Sequence, residues 1–205
     1  MKKVVIFGAT GMTGLCAVEA ALKKGLEVRA FVRDPSKLPA DLKEKVEVFQ
    51  GDVLEPDSVT NAVEGMDGVV VALGTRGQLE PTSDMSEGVK HIVDGMRSKN
   101  VKKVSACISA FLFYEPEKVP PRFHDITKDH QRMHEELKDS GLDWVSVWPP
   151  HISDEPSREM IVEVNPKSSP GRAVSKHDLG AFLVDCISEP KYYKSVIGLC
   201  NVPKQ

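Results

Sequence analysis

Val4-Val5-Ile6-Phe7-Gly8-Ala9-Thr10-Gly11-Met12-Thr13-Gly14 decides how this chain is read. An apolar, β-rich run passes directly into three glycines, each separated from the next by two residues, and Leu15 to Lys24 then carry a helical pattern. Strand, glycine turn and helix in that order form the arrangement that receives the pyrophosphate of a dinucleotide. Gly8 serves a turn too tight for a Cβ, Gly11 lets a phosphate approach the backbone, and Gly14 lets the helix pack on the strand. N–H groups at the helix start then hold the anion. The stretch therefore predicts a dinucleotide-binding α/β fold.

The rest of the chain is consistent with one compact body. With 205 residues, 40% of them hydrophobic, one substantial core can be buried, so a single domain over 1–205 is expected. The formal net charge is -3 and the Lys and Arg residues are scattered, which argues against nucleic acid or an anionic membrane as partner. No apolar run approaches the roughly 20 residues that span a bilayer, and Met1-Lys2-Lys3 leads straight into a strand rather than a cleavable signal. A cytoplasmic protein acting on small molecules is the expectation. Cys16, Cys107, Cys186 and Cys200 lie far apart with no C-x-x-C, so neither a disulfide framework nor a metal site is expected.

Along the chain, apolar runs alternate with helical patterns, the form taken by a doubly wound parallel β-sheet covered on both faces. Strands are predicted near 3–7, 27–32, 46–50, 68–73, 103–108 and 143–148. The first helix ends at Gly25 and the next opens with Pro56 in its first turn. Asp84 with Glu87 reads as a capping box before Val89 to Met96, a further helix covers about 128–140, and Ser175 with Asp178 reads as a second box opening a helix through Cys186. Two less regular stretches, 109–125 and 149–172, follow strand ends on the ligand edge of such a sheet and are expected to wall a substrate.

The end of the second strand speaks to the nucleotide. A carboxylate about 20 residues beyond the glycines suits the ribose of NAD, whereas arginine suits the 2′-phosphate of NADP. Arg33 occupies that place, and Ser36 and Lys37 add a hydroxyl and a second positive charge. Asp34 reads either as the NAD carboxylate or as the start of an Asp-Pro turn. Further on, Asp52 and Val53 suit an adenine contact, and Leu73-Gly74-Thr75-Arg76 closes a strand where the nicotinamide ribose would approach. NADPH is the expected cofactor.

Taken together, the glycine turn, Val32-Arg33-Asp34, Gly51-Asp52-Val53, Leu73-Gly74-Thr75-Arg76, Ser109-Ala110-Phe111-Leu112, Trp148-Pro149-Pro150-His151-Ile152 and Ser175-Lys176-His177-Asp178-Leu179-Gly180 resemble the biliverdin-IXβ reductase family, also called NADPH-dependent flavin reductases. The resemblance covers nearly the whole chain and departs in 153–170 and the C-terminal tail. It implies a single-domain Rossmann fold of the atypical short-chain dehydrogenase type, a monomer, that reduces flavins and non-α biliverdins with NADPH. It further implies cofactor contacts from Gly8, Thr10, Gly11, Met12, Thr13, Gly14, Arg33, Ser36, Lys37, Asp52, Val53, Leu73, Gly74, Met85, Cys107, His130, His151 and Ile152. Substrate is implied near Ser109, Phe111, Tyr114, Arg122 and Phe123, with tyrosine at 114 where the family pattern has tryptophan.

The chemistry can be read without the family. Carbonyl-reducing short-chain dehydrogenases place a tyrosine acid and a lysine on one helical face; Tyr114 and Lys118 have the spacing, but Pro116 between them opposes a shared face. A site without a committed acid suits flavins and linear tetrapyrroles, whose reduced forms are stabilised by conjugation. Ser109 and His151 are the expected catalytic residues, the first bonding a water or the substrate, the second touching nicotinamide or orienting substrate. His130 and His134 share a helix face with Glu135 beside them, yet no third ligand follows and no metal is expected. The alternative function is a non-catalytic NADP-sensing regulator of the related NmrA-like type.

Overall fold

The computed structural model describes residues 1–75 and 77–203. In β1 (Lys3–Phe7) successive side chains turn to opposite faces, and both faces are buried: Val4 and Ile6 enter one core, Val5 and Phe7 the other. That is why the strand is continuously apolar instead of alternating with polar residues.

After β1 come α1 (Met12–Lys23), β2 (Glu27–Val32), α2 (Ala40–Lys43), β3 (Glu47–Gln50), α3 (Pro56–Val63), β4 (Gly68–Val71), α4 (Asp84–Ser98) and β5 (Lys103–Cys107). The second half holds α5 (His124–Lys138), β6 (Asp143–Trp148), β7 (His151–Ser153), β8 (Met160–Val164), β9 (Ala173–Ser175), α6 (Lys176–Cys186) and β10 (Ser195–Asn201). Eight strands form one sheet in the order β3-β2-β1-β4-β5-β6-β10-β8, parallel throughout except for β8. Residues of α1, α2 and α6 fill the first core, and residues of α3, α4 and α5 fill the second. The doubly wound single-domain Rossmann-like fold expected from the sequence is thus observed. Strand order reverses between β1 and β4, which opens a crevice at their carboxyl ends. No described helix is long and apolar enough to cross a membrane.

All six predicted strands form, two of them ending one or two residues early. Four further strands were not predicted. Buried β10 carries Gly198 and Asn201, which weaken its local β signal, and its place is set by distant partners. A Cβ on Gly198 would stand 2.7 Å from Pro166 and 3.0 Å from Pro170. The stretch 149–172, expected to be irregular, contains β7 and the edge strand β8, whereas 109–125 consists of short 3₁₀ turns at Ala110–Phe113, Pro116–Lys118 and Pro121–Phe123. The last of these turns runs directly into α5, so that helix starts four residues before the predicted 128.

Both predicted capping boxes differ in detail. Ser83, not Asp84, occupies the N-cap of α4, and its hydroxyl lies 2.7 Å from Glu87 Oε1. At α6 the Ser175 Oγ accepts the His177 N–H at 3.3 Å, but the Ser175 N–H goes to Asn201 Oδ1 at 2.6 Å. Asp178 holds that asparagine instead of closing the box, accepting its Nδ2 at 2.7 Å.

Candidate functional site

The glycine turn is closed by the chain pressing on itself. Gly8 has φ +81°, and its Cβ would lie 2.3 Å from the Ala72 carbonyl oxygen at the end of β4. A Cβ on Gly14 would lie 2.0 Å from the Gly8 carbonyl oxygen, so α1 approaches the turn as closely as backbone allows. The N-cap of α1 is Gly11, which offers no side-chain cap, and the first turn carries no acidic residue. The leading N–H groups and the positive end of the helix dipole are thus left for an anion.

A cleft of 1160 Å³ opens over this turn. Of the expected cofactor residues, Gly8, Thr10, Gly11, Met12, Thr13, Arg33, Val53, Leu73, Gly74, Met85, Cys107, His130 and Ile152 line it, as does Ser109. Gly14 lies beneath the turn rather than in the wall, for the packing reason just given. The volume, the uncapped helix start and the Cβ-free cradle fit an extended dinucleotide.

Several expected contacts fall elsewhere. Asp34 caps the 3₁₀ turn Pro35–Lys37: its Oδ1 accepts the Ser36 N–H at 3.0 Å and the Ser36 hydroxyl at 2.6 Å, while Lys37 Nζ stands 3.9 Å from Oδ2. Asp34 therefore organises the turn, and Ser36 and Lys37 lie outside the cleft wall that Arg33 lines. Asp52 Oδ1 accepts the Leu54 N–H at 3.0 Å, an Asx turn that presents Val53 to the cleft and keeps Asp52 out of it. The Val53 carbonyl is in turn fixed to α4 by His91 Nδ1 at 2.8 Å. His151 also misses the cleft. It is exposed on β7, and the two-residue period of the strand turns its neighbour Ile152 inward. Arg76 lies outside the described residues.

At the far end of the cleft, Ser109 caps the turn Ala110–Phe113 by accepting the Phe111 N–H at 3.2 Å, which leaves its own hydroxyl proton for a ligand. Phe111, Tyr114, Arg122 and Phe123 do not line the cleft; they cluster on the segments flanking its wall residues Ser109 and Ile126. Ring centroids of Phe111 and Phe123 are 5.0 Å apart, those of Phe111 and Tyr114 6.0 Å, and the Arg122 guanidinium lies 4.6 Å from the Phe123 centroid. Lys118 pairs with Glu115 at 2.7 Å within its own exposed turn, so it is engaged away from Tyr114.

Burial sets the protonation of this end. It pushes the Cys107 thiol up to about 12, which makes it an inert apolar wall near neutrality. Desolvation pulls His130 down to about 4 against the opposing pull of Asp129, so the imidazole is neutral, with a buried Nδ1 that has no hydrogen-bond partner among the described residues. His134, one turn along, instead meets Ser146 Oγ at 3.0 Å and packs edge-on against Trp144 and Trp148.

Sequence reasoning missed Gly77, Gln78 and the run from Glu80 to Asp84, which also line the cleft, and the network that holds that run. Fully buried Asp129 accepts the Met85 N–H at 3.2 Å, capping α4 from another helix. Arg132 donates to Asp129 Oδ1 at 2.9 Å, to the Thr82 carbonyl at 2.7 Å and to Ser86 Oγ at 3.3 Å. Acidic and basic residues three apart on a helix read as a solvated pair; here the packing of α5 on α4 buries Asp129 while Arg132 stays half-exposed.

Comparison with known proteins agrees with this geometry. Residues 8–190 match the model of an NAD(P)H-binding family. An oxidoreductase of Pestalotiopsis microspora is 23% identical over 98% of this chain and 86% of its own length. An uncharacterized chloroplastic protein of Arabidopsis thaliana is 33% identical over 50% of this chain, which spans only 39% of that relative. Among solved structures, a short-chain dehydrogenase/reductase from Veillonella parvula in complex with NADP superposes with a TM-score of 0.81 at 18% identity, covering 98% of this chain and 94% of that one.

Proposed function

The chain belongs to the NAD(P)H-binding family that it matches over residues 8–190, and on that premise we propose that it is an NADPH-dependent oxidoreductase that reduces flavins (FMN, FAD, riboflavin) and biliverdin-IXβ-type linear tetrapyrroles. The observation that carries this reading is that, among the described residues, neither a tyrosine nor a lysine lines the cleft to act as a committed proton donor, the wall's carboxylates being Glu80 and Asp84. Cys107, Ile108, Ser109, Ile126, neutral His130 and Ile152 wall its reaction end, while Lys118 is held by Glu115 in a separate exposed turn. Such a wall orients a flat conjugated acceptor and leaves its protonation to solvent.

NADPH, when bound, supplies the hydride. The uncapped start of α1 and the turn Gly8 to Thr13 hold the pyrophosphate, Arg33 takes the 2′-phosphate, and Val53 packs on the adenine. Leu73, Gly74, Met85, Cys107 and Ile152 surround the nicotinamide half. Ser109 donates its hydroxyl proton to an acceptor atom of the substrate, and the Phe111, Tyr114 and Phe123 rings with Arg122 form the platform its ring system reaches. His151, exposed and turned outward, takes no part in this scheme. The protein acts as a cytoplasmic monomer.

Mixing the purified chain with NADPH and FMN, riboflavin or biliverdin IXβ tests the proposal through the loss of NADPH absorbance. Turnover with NADPH exceeding that with NADH is expected. Tight NADPH binding without turnover on any of the three would contradict it and favour the NmrA-like regulator.

A further inference from the structure

Away from the cleft, α1 and α6 cross in close contact. A Cβ on Gly180 would stand 2.7 Å from both the Ala17 nitrogen and the Cys16 Cβ, so glycine at 180 lets the helices approach backbone to side chain. The crossing brings Cys16 Sγ to 3.5 Å from His177 Nδ1. Glu19 follows Cys16 by three residues on α1, on the same helix face. Among the described residues, these three form a group whose ligand atoms all lie within 4.8 Å of one another. None of the three lines the cleft.

The Cys16–His177 separation matches a shared ion, and the Glu19 carboxylate lies within 4.8 Å of both ligand atoms. With metal–sulfur and metal–imidazole bonds of about 2.3 and 2.0–2.1 Å, a tetrahedral zinc-type ion holds its sulfur and nitrogen ligands about 3.6 Å apart. Lys176, the nearby cation, is paired with Asp154, and its charge also reaches Cys16 and Glu19, so a dication binding here would have to displace that interaction. Thiolate, imidazole and carboxylate together form a set that hard magnesium or calcium does not prefer and a borderline dication does. Glu19 is exposed, so the fourth position faces water.

We propose that Cys16 Sγ, His177 Nδ1 and a Glu19 carboxylate oxygen form a three-ligand site for a divalent cation of the zinc class, with water as the fourth ligand. On binding, the thiol S–H bond breaks, its proton passes to solvent and the sulfur–metal bond forms. The ion staples α1 to α6, and α1 is the helix whose start faces the cleft.

Titration of the full chain with Co²⁺, and with Zn²⁺ in competition, tests this. One equivalent should bind with a thiolate-to-cobalt charge-transfer band that Cys16→Ser abolishes, and His177→Gln and Glu19→Gln should each weaken affinity about tenfold or more. Absence of the band, its survival in Cys16→Ser, or wild-type affinity in both Glu19→Gln and His177→Gln would overturn the proposal. Circular dichroism of each variant checks the fold, and Glu19→Gln, altered on an exposed side chain, keeps the test decisive should Cys16→Ser fail to fold.

Discussion

At the end of β1 a Cβ on Gly8 or Gly14 would stand 2.3 or 2.0 Å from a backbone carbonyl oxygen, whereas at the end of β4 a Cβ on Gly74 would meet nothing within 4 Å. Both regions line or underlie one cleft, and both read as glycine turns after a parallel strand. The first is closed by contacts that the chain makes with itself, so its shape does not depend on a ligand. The second leaves room, so any close approach there comes from what binds. The two glycine turns thus separate a part of the site that belongs to folding from a part that belongs to recognition.

Breaking the first region should have the largest effect. Gly8→Ala meets both the carbonyl clash and the positive φ, and is expected to cost about 3 kcal/mol or more in urea unfolding. Nearer the reaction end, His130 tests how far burial governs the second region. Its value near 4 lies below the ordinary 6.5, so unfolded chains bind more protons between these values and stability is lost as pH falls through that window. The unfolding free energy of wild type relative to His130→Phe should therefore drop by up to about 3 kcal/mol between pH 7 and 4. A flat difference would show that the imidazole is not desolvated.

The loop that faces both regions depends on Asp129. Asp129→Ala removes the cap on the Met85 N–H and the partner of half-exposed Arg132, and should cost about 2 kcal/mol in urea unfolding. It should also weaken NADPH binding, because the Thr82 carbonyl loses a well-placed arginine. The smallest change in stability is expected at Gly74→Ala, below about 0.5 kcal/mol, with its effect confined to cofactor affinity measured by fluorescence titration. If Gly74→Ala destabilised the chain as much as Gly8→Ala, the distinction between the two regions would fail.

What the sequence disclosed follows the same division. The turn from Gly8 to Gly14, six strands and both faces of the sheet were legible because each rests on local pattern: apolar runs, glycine spacing and helix stops. The place of Arg33 in the cleft wall was legible because its position in the motif is counted along the chain. Asp34 became readable only once its carboxylate was seen on Ser36, and Asp52 once it was seen on the Leu54 N–H. The role of Asn201 on the Ser175 N–H, of Asp129 beneath α4, and the approach of Cys16 to His177 across 161 residues depend on packing between distant elements. No spacing rule carries them. His151 was misplaced for a related reason, since one residue of register in β7 decides whether it or Ile152 faces the cleft.

The orientation of NADPH along the cleft underlies every assignment at the reaction end, and it rests on Arg33 marking the 2′-phosphate. Dissociation constants of wild type and Arg33→Ala for NADPH and NADH measure this directly. Arg33→Ala should weaken NADPH binding about tenfold or more and NADH binding by less than about threefold, the loss of a charge-assisted phosphate contact. Equal losses for the two nucleotides would contradict the orientation and the cofactor preference together.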